Sequence, residues 1–562
     1  MDEFPDALER LTARLEALER RVEALEDPCA RISAPAAREP AVAPAARAGD
    51  EFSLAHAGGA FPVLGKAMLG IAGAYLLRAV AEAGSLPRLA IAAVAIVYAL
   101  LWLVGAARVP AGGWFASAIY AGTSALILAP MLWELTLSFK VMPPPGAAGV
   151  LCVFVIAATA LAWKRDLAPV LWVANLAAAC SAVSLSIATH ELTPFLAALL
   201  LMALLSEYAA VRNRQLSLRP LPAVAADLAI WALIFIYSSP ESTRMDYPAI
   251  GTVGLLLPGC FLFLIYGVSI GLRTTLLAQK ITVFETGQAM IAFLLAASSV
   301  LYFAPRPGVI ALGAACLIFS AACYAAAFFV FNRAAAGRNF HVFAAWAACL
   351  LLAGSLLCLP PFWMAACLGL AAIAATVSGS RLTLKFHGLV FLLAAAVASG
   401  LLSYVFDALA KTPPVSLAPD VCMVSACALV CYAAGKHGPQ ESWQRQFLLL
   451  ATAALAVGAL AALLVEGLAR LAALRITPEA HHLAFVRTLI LCAAAVALAY
   501  AGSRWRRAEL ARLAYLMLGL VAVKLLLEDL RLGHLEFIAA SIFLFAIALI
   551  AVPRLARIGQ KA

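Results

Sequence analysis

Charged residues are scarce in this chain of 562 residues, and so are the sequence motifs of soluble enzymes. Asp, Glu, Lys and Arg make up 12% of the sequence, whereas 65% of the residues are apolar. Soluble domains contain about 25% charged and about 45–50% apolar residues. The chain also has no G-x-x-x-x-G-K phosphate loop, no H-E-x-x-H zinc motif and no G-x-G-x-x-G dinucleotide motif. An ordinary globular enzyme is therefore excluded, and we expect no catalytic residue set and no cofactor.

Cysteine and histidine lack the spacing of metal sites or disulfide frameworks. The chain has 13 cysteines, nearly all in apolar segments, and no C-x-x-C pair. Zinc sites and disulfide frameworks use tighter spacings with polar flanks. His481 and His482 are adjacent, but Glu479 is the sole nearby acid that could join them. We therefore expect buried thiols and no metal site.

Long apolar runs dominate the chain from Phe61 to Val552. About 18 runs of roughly 20 residues alternate with short connections, which favour antiparallel hairpins. Hydrocarbon offers no water to backbone N–H and C=O groups, so such runs cross a membrane as helices. The sequence predicts an all-α, polytopic integral membrane protein of about 18 transmembrane helices. The predicted spans are 62–82, 88–106, 114–136, 146–163, 168–189, 192–210, 220–238, 249–272, 281–303, 308–331, 339–359, 361–379, 384–406, 415–434, 446–467, 483–502, 509–528 and 534–552.

Basic residues favour one side of this predicted bundle. With the amino terminus in the cytoplasm, the cytoplasmic loops and the carboxyl-terminal tail carry 21 Lys and Arg residues, and the opposite loops carry 8. Lys and Arg are enriched in cytoplasmic loops of membrane proteins. We therefore expect an inner-membrane protein with both termini in the cytoplasm. Because topology accounts for the net charge of +10, nucleic acid is not expected as a partner.

The amino-terminal residues 1–27 carry a heptad pattern that predicts a short cytoplasmic coiled coil. In a parallel dimer, Arg14 would face Glu19 of the other helix and Arg21 would face Glu26, so both pairs are opposite in sign. This favours a homo-oligomer; an isolated amphipathic helix is the alternative. The apolar residues of the heptad seam are Phe4, Leu8, Leu11, Leu15, Leu18, Val22 and Leu25.

Composition divides the rest of the chain into three parts. Residues 28–60 are rich in Ala and Pro, which predicts a disordered linker. The transmembrane domain covers residues 61–553, and residues 554–562 form a cytoplasmic tail.

Ionisable residues toward the outer ends of the spans are candidates for a functional site. A charge within a span is costly, so it marks a functional candidate. Lys524 lies deeper than its carboxylate neighbours and leads the set. One interpretation is a polar cavity open to the outside, in which Arg487 and Lys524 hold an anionic group. The other is that these side chains reach the interface and close i,i+4 pairs. The members of this outer belt are Arg78, Glu82, Glu134, Glu466, His481, His482, Arg487, Lys524, Glu528 and Asp529.

A second candidate group lies in the inner halves of the spans. It contains Asp227, Glu285 and Gln288, with Glu207 as a further deep acid. Glu285 and Gln288 are three residues apart and share a helix face. A proton or cation relay is one interpretation, and hydrogen bonding between helices is the other.

The carboxyl-terminal end carries a resemblance to a known family. The segment SRWRRAELARLAYLMLGLVAVKLLLEDL (503–530) has an Arg-rich turn and then a Lys followed five residues later by Asp. A last apolar helix, EFIAASIFLFAIALIAV (536–552), follows. With the coiled coil and the Pro/Ala linker, this resembles a bacterial family of predicted polytopic membrane proteins of unknown function. The resemblance implies that Lys524 and Asp529 occupy the family's Lys and Asp positions, and it transfers no catalytic role.

Two functions remain open on the sequence alone. The favoured one is a non-enzymatic membrane protein, either transporter-like or an envelope scaffold, with membrane lipids as partners. The alternative is a membrane-embedded enzyme acting on a lipid-linked substrate from the outer side through Glu466, Glu528 and Asp529. Such enzymes usually have a larger outer loop than this chain provides, which favours the first function.

Overall fold

Helices account for nearly all of the described chain, and their bounds follow the apolar runs. The computed structural model describes residues 54–83, 87–110, 113–165, 167–214, 216–331, 337–378, 382–410, 419–435, 443–473, 480–532 and 534–561. The predicted coiled coil, residues 1–27, lies outside these residues. In the first half, the helices are α1 Leu54–Glu82, α2 Arg88–Ala107, α3 Trp114–Trp133, α4 Pro144–Arg165, α5 Ala168–Thr189, α6 Leu192–Val211, α7 Pro220–Ser238, α8 Thr252–Gly271 and α9 Val283–Phe303.

The second half continues in the same way. Its helices are α10 Arg306–Ala325, α11 Gly337–Cys358, α12 Pro361–Ser378, α13 Leu382–Ala398, α14 Leu401–Ala410, α15 Pro419–Ala434, α16 Trp443–Ala473, α17 Ala480–Arg504, α18 Ala508–Lys524 and α19 Leu535–Lys561. Within the described ranges no strand occurs.

Sixteen of these helices are long and apolar enough to cross a membrane. The pair α13 and α14, which is bent by 63°, is either a broken span or a re-entrant loop, and α15 is a shorter apolar helix. Each of the 18 predicted spans therefore coincides with one helix or with the bent pair. The prediction of a polytopic α-helical membrane protein is confirmed, and the chain is a multi-pass membrane protein.

Several helix bounds differ from the predicted segments, and three of these differences change the assignment of the linker, a span or the tail. Helix α1 begins at Leu54, within the segment assigned to the linker. The predicted span 384–406 is broken at Gly400, which has a φ of +71°. A left-handed backbone is accessible to glycine without the clash that a Cβ causes, so the chain turns there. Helix α19 continues through Pro553 into the predicted tail.

Four helices pass into a π-helical turn at their carboxyl ends. The turns are Glu134–Ser138 after α3, Leu272–Leu276 after α8, Ala326–Phe331 after α10 and Leu525–Asp529 after α18. Such turns shift every later side chain around the helix axis, and they recur at functional sites. Two of the four, after α8 and α18, contain ionisable residues of the clusters described below, and the turn after α3 contains Glu134 of a partly exposed group.

The helices from α2 onward pack into an amino-terminal and a carboxyl-terminal group. Helices α2 to α9 share one apolar core that includes Phe154, Phe195 and Tyr266. Helices α11 to α19 pack around two further cores. Between the groups, α10 packs closely on α11. The approach requires glycine, since a Cβ on Gly354 would lie only 2.8 Å from the carbonyl oxygen of Gly313. This hairpin packs sparsely on α9 and α12.

Candidate functional site

The carboxyl-terminal members of the outer belt meet where α17 packs against the end of α18. Lys524 is the last residue of α18, and Asp529 ends the π turn that follows. In this turn the N–H of Leu530 donates to the carbonyl of Leu525, five residues earlier. An α-helix places residues three or four apart on one face, whereas a π turn does so for residues five apart. The π turn is therefore the local reason why Lys524 faces Asp529.

Three polar groups hold the ammonium of Lys524. Its Nζ donates to the carbonyl oxygen of Ala484 at 2.5 Å and to Oγ1 of Thr488 at 2.7 Å. It also forms an ion pair with Oδ1 of Asp529, whose Oδ2 accepts a hydrogen bond from Thr488 at 2.8 Å. The side chains of Lys524 and Asp529 are 9% and 3% exposed. All three donors of the cation thus have partners, in a site that is nearly closed to solvent.

A second ion pair adjoins the first and links it to the broken span. Nη1 of Arg487 lies 2.6 Å from Oε1 of Glu528, and Nε of Arg487 donates to the carbonyl oxygen of Ala408 in α14 at 2.7 Å. Arg487 is fully buried. Oε2 of Glu528 lies 3.4 Å from Nζ of Lys524. Two cations and two carboxylates therefore form one neutral cluster across α14, α17 and α18, which we call the C-terminal cluster.

Histidine rings separate Asp529 from the surface. The ring of His481 lies 3.9 Å, centroid to centroid, from that of His534 and 4.8 Å from Phe537. A cavity of about 10 Å³ lies between these rings and Asp529, and it has room for about one water molecule. His534 is exposed, and His481 is half-buried. Two imidazole rings and a water-sized cavity therefore lie between the surface and the buried carboxylate.

The other predicted acids and arginine of the outer belt lie in two separate groups, one of three residues and one pair. Arg78 contacts Glu82 at 3.1 Å and reaches Glu134, in the π turn after α3, at 2.8 Å. Glu82 is 57% exposed, as expected for side chains that reach the interface. Glu466 is buried and pairs with Arg470, four residues later, at 2.7 Å. The structure thus divides the belt into three groups and brings four of its charges together in the C-terminal cluster.

The inner candidates belong to a larger buried ion network, which we call the inner network. Arg219 donates to both oxygens of Glu207, at 2.8 and 2.7 Å, and to Glu285 at 2.7 Å. Ser269 donates to Glu207 at 2.6 Å, and Arg273 forms an ion pair with Glu285. The four charged side chains are all buried. Two arginines balance two glutamates, so the network is neutral.

Asp227 and Gln288 form a separate hydrogen-bonded pair near this network. Nε2 of Gln288 lies 2.9 Å from each carboxylate oxygen of Asp227. Glu285, on the same helix as Gln288, faces the arginines instead and also caps α9 through the N–H of Thr282 at 2.8 Å. The predicted inner trio is therefore divided between two partner sets.

Sequence reasoning missed both arginines of the inner network because it counted Arg219 and Arg273 as loop cations. Two buried acids in neighbouring spans require cationic partners, and that requirement was the available signal.

Residues 267–271 also match G-x-S-x-G, the nucleophile motif of hydrolases. That motif acts at a strand-to-helix turn. Here it lies within helix α8, and the hydroxyl of Ser269 is occupied by Glu207.

Comparison with known proteins gives no match for this chain. No protein-family model, no curated protein and no solved structure is significantly similar to it. Among the described residues, no group of three or more His, Cys, Asp or Glu side chains has the geometry to hold a metal ion.

Proposed function

We propose that the protein is a transporter-like, proton-responsive protein of the bacterial inner membrane, with both termini in the cytoplasm. The distribution of Lys and Arg supports this orientation. In the resulting topology, the C-terminal cluster lies toward the outer side and the inner network toward the cytoplasm. We further propose that residues 1–27 join copies of the chain as a coiled coil and that nucleic acid is not a partner.

One observation supports the transporter-like function above others. Four ionisable side chains, each at most 22% exposed, meet within a membrane-spanning bundle, and one of them binds the second half of a broken span. Arg487 holds the carbonyl of Ala408, which lies beyond the 63° bend between α13 and α14. Discontinuous helices with exposed backbone groups form the ion and substrate sites of many carriers. Buried carboxylates facing a bundle interior serve as proton relays in such proteins.

The contacts suggest how a proton would act on the broken span. Protonation of Asp529 would remove the anion that pairs with Lys524. The ammonium of Lys524 would then interact more strongly with the carboxylate of Glu528, which already lies 3.4 Å from it. A stronger bond between Lys524 and Glu528 weakens the hold of Glu528 on Arg487. The guanidinium of Arg487 is bound to α14, so the protonation of Asp529 biases the position of that helix.

A substrate-independent experiment tests this proposal. The full chain in proteoliposomes on a solid-supported membrane is shifted from about pH 8 to about pH 4, which reaches the ordinary pKa range of an aspartate carboxyl group. We expect a transient charge displacement in the wild type and its loss in Asp529→Asn. Glu82→Gln, at an exposed pair, is the matched control and keeps the wild-type signal. A wild type that moves no charge would contradict the proposal and favour a scaffold.

The contacts give less support to the enzyme alternative. Its three acids are all engaged, since Glu466 pairs with Arg470, Glu528 with Arg487, and Asp529 with Lys524. A general acid or base needs a proton-transfer path to a bound substrate. The cavity between Asp529 and the histidine rings has room for about one water molecule. A second cavity that Asp529 lines, of about 310 Å³, is otherwise lined by apolar side chains, which offer no groups to bind a sugar or a peptide.

A further inference from the structure

The sparse packing of the α10–α11 hairpin on α9 leaves an open groove among α8, α9, α10 and α11. This groove has a volume of about 250 Å³. Aromatic rings form its walls, with Phe319 6.2 Å from Phe263 and Trp346 6.2 Å from Phe293, centroid to centroid. Gly267 is an exposed part of its lining, and a Cβ there would meet no atom within 4 Å. The groove is therefore apolar, open at the surface of the spans and long along α8.

Two exposed cations lie at one end of this groove. Lys280 precedes Ile281, which lines the groove, and Arg338 lies one turn before Val342, which also lines it. The side chain of Asn339 joins the two segments. Its Nδ2 donates to the carbonyl of Gln279 at 2.9 Å, and its Oδ1 accepts from the N–H of Ile281 at 3.0 Å. Asn339 therefore binds the backbone on both sides of Lys280, and Asn339 directly follows Arg338. The two cations thus lie on segments that contact each other.

The charge at this end of the groove is positive. Neither the segment 274–284 nor the segment 337–350 contains an Asp or Glu residue. The nearest acid in sequence, Glu285, is buried and held by Arg219 and Arg273. The two exposed cations therefore lack a compensating anion from either segment, whereas the arginines of the inner network are compensated. An anion from outside the protein would satisfy them.

We infer that the groove binds an anionic phospholipid, with one acyl chain between the aromatic walls and the phosphate at Lys280 and Arg338. Lipid is the medium around the spans, so an apolar groove that opens to their surface is filled by acyl chains. Basic pockets between transmembrane helices select anionic head groups, and each Lys or Arg near the membrane surface contributes about a fivefold gain in affinity. The groove lies at the end of the spans opposite the C-terminal cluster, and this inference does not depend on the proposed transport function.

Lipid titration of the purified full chain in detergent tests this inference. Phosphatidylglycerol and phosphatidylcholine with the same acyl chains are compared by the rise in thermal midpoint. We expect phosphatidylglycerol to bind more tightly to the wild type. Lys280→Ala with Arg338→Ala should weaken phosphatidylglycerol binding roughly 30-fold and leave phosphatidylcholine binding unchanged. Arg108→Ala is the control, since Arg108 is also exposed and lies on the same side in the proposed topology.

A second variant tests the acyl-chain part of the site. Gly267→Leu fills the groove at a position where the new side chain finds open space, so the fold is retained. We expect Gly267→Leu to weaken the binding of both lipids. Gly519→Leu, at another exposed helical glycine with open space, should leave the binding of both unchanged. Equal binding of the two lipids by the wild type would overturn the head-group assignment. Unchanged lipid binding in Gly267→Leu would overturn the groove as the site.

Discussion

The C-terminal cluster and the inner network contain the same kinds of charges, yet they differ in how far they are sealed. Both are neutral sets of two cations and two carboxylates. In the inner network each of the four side chains is at most 6% exposed. In the C-terminal cluster Glu528 is 22% exposed, and Asp529 borders a small cavity beside histidine rings. A sealed network holds helices together, whereas a cluster with a path to the surface can exchange protons.

The largest expected effect is the loss of one member of the sealed network. Arg219→Ala leaves Glu207 without its main partner and Glu285 with one partner fewer, so we expect the free energy of unfolding to fall by about 3–5 kcal/mol. Chemical unfolding of the detergent-purified protein measures it. The double variant Arg219→Met with Glu207→Met leaves the Arg273–Glu285 pair neutral and should recover most of the loss. A mild effect of Arg219→Ala would show that the network is not sealed.

A smaller loss is expected when the corresponding arginine of the C-terminal cluster is replaced. Arg487→Met breaks the bonds to Glu528 and to the Ala408 carbonyl, but Glu528 keeps contact with Lys524 and with solvent. The free energy of unfolding should fall by about 2 kcal/mol. The same unfolding assay measures it. A loss equal to that of Arg219→Ala would remove the difference between the two regions.

Asp529→Asn should lower the free energy of unfolding less than Arg487→Met does, although we expect it to have the largest effect on function. Asp529→Asn keeps the shape of the side chain, and its Nδ2 can donate to Oγ1 of Thr488. The ion pair with Lys524 is exchanged for a hydrogen bond from the ammonium to a neutral amide oxygen. We expect a loss of about 1 kcal/mol, together with the disappearance of the charge displacement after a pH shift. Glu466→Gln, which neutralises another buried and paired acid on the outer side, should retain that displacement. If both variants retained it, Asp529 would not be the proton site.

The smallest effect is expected at the exposed pair on α1. Glu82→Gln removes a contact between two side chains that are 45% and 57% exposed. Solvent-exposed ion pairs contribute little to stability. We expect no measurable change in thermal midpoint or in charge displacement. A clear change in either would place Arg78, Glu82 and Glu134 among the functional groups.

The sequence determined the helices well because apolar length is a direct requirement of the membrane. The predicted span 168–189 coincides with α5, and 220–238 coincides with α7. The break at Gly400 was missed because one glycine in an Ala-rich run does not distinguish a bend from a small residue in close packing. The π turns were missed because they have no sequence pattern of their own.

The sequence analysis named all four charged residues of the C-terminal cluster, but it did not predict which residues each of them contacts. Lys524 and Asp529 were named as ionisable residues near the outer end of a span, and the resemblance implied that they correspond to the family's Lys and Asp. The π turn explains why a spacing of five residues brings them into contact. Glu466 was placed in the same cavity, but it lies four residues from Arg470 and pairs with it. Which charged residues contact each other depends on which helices pack together, and the hydropathy of the sequence does not show which helices are neighbours.

Hydrogen–deuterium exchange of the full chain at about pH 8 and about pH 4 tests the central claim most directly. Labelling times are corrected for the intrinsic pH dependence of exchange. The account predicts faster exchange at low pH in peptides covering α14, the start of α17 and the π turn Leu525–Asp529, with no change around Arg219 and Glu285. Asp529→Asn should abolish the difference. Equal changes in both regions, or none in either, would contradict the account.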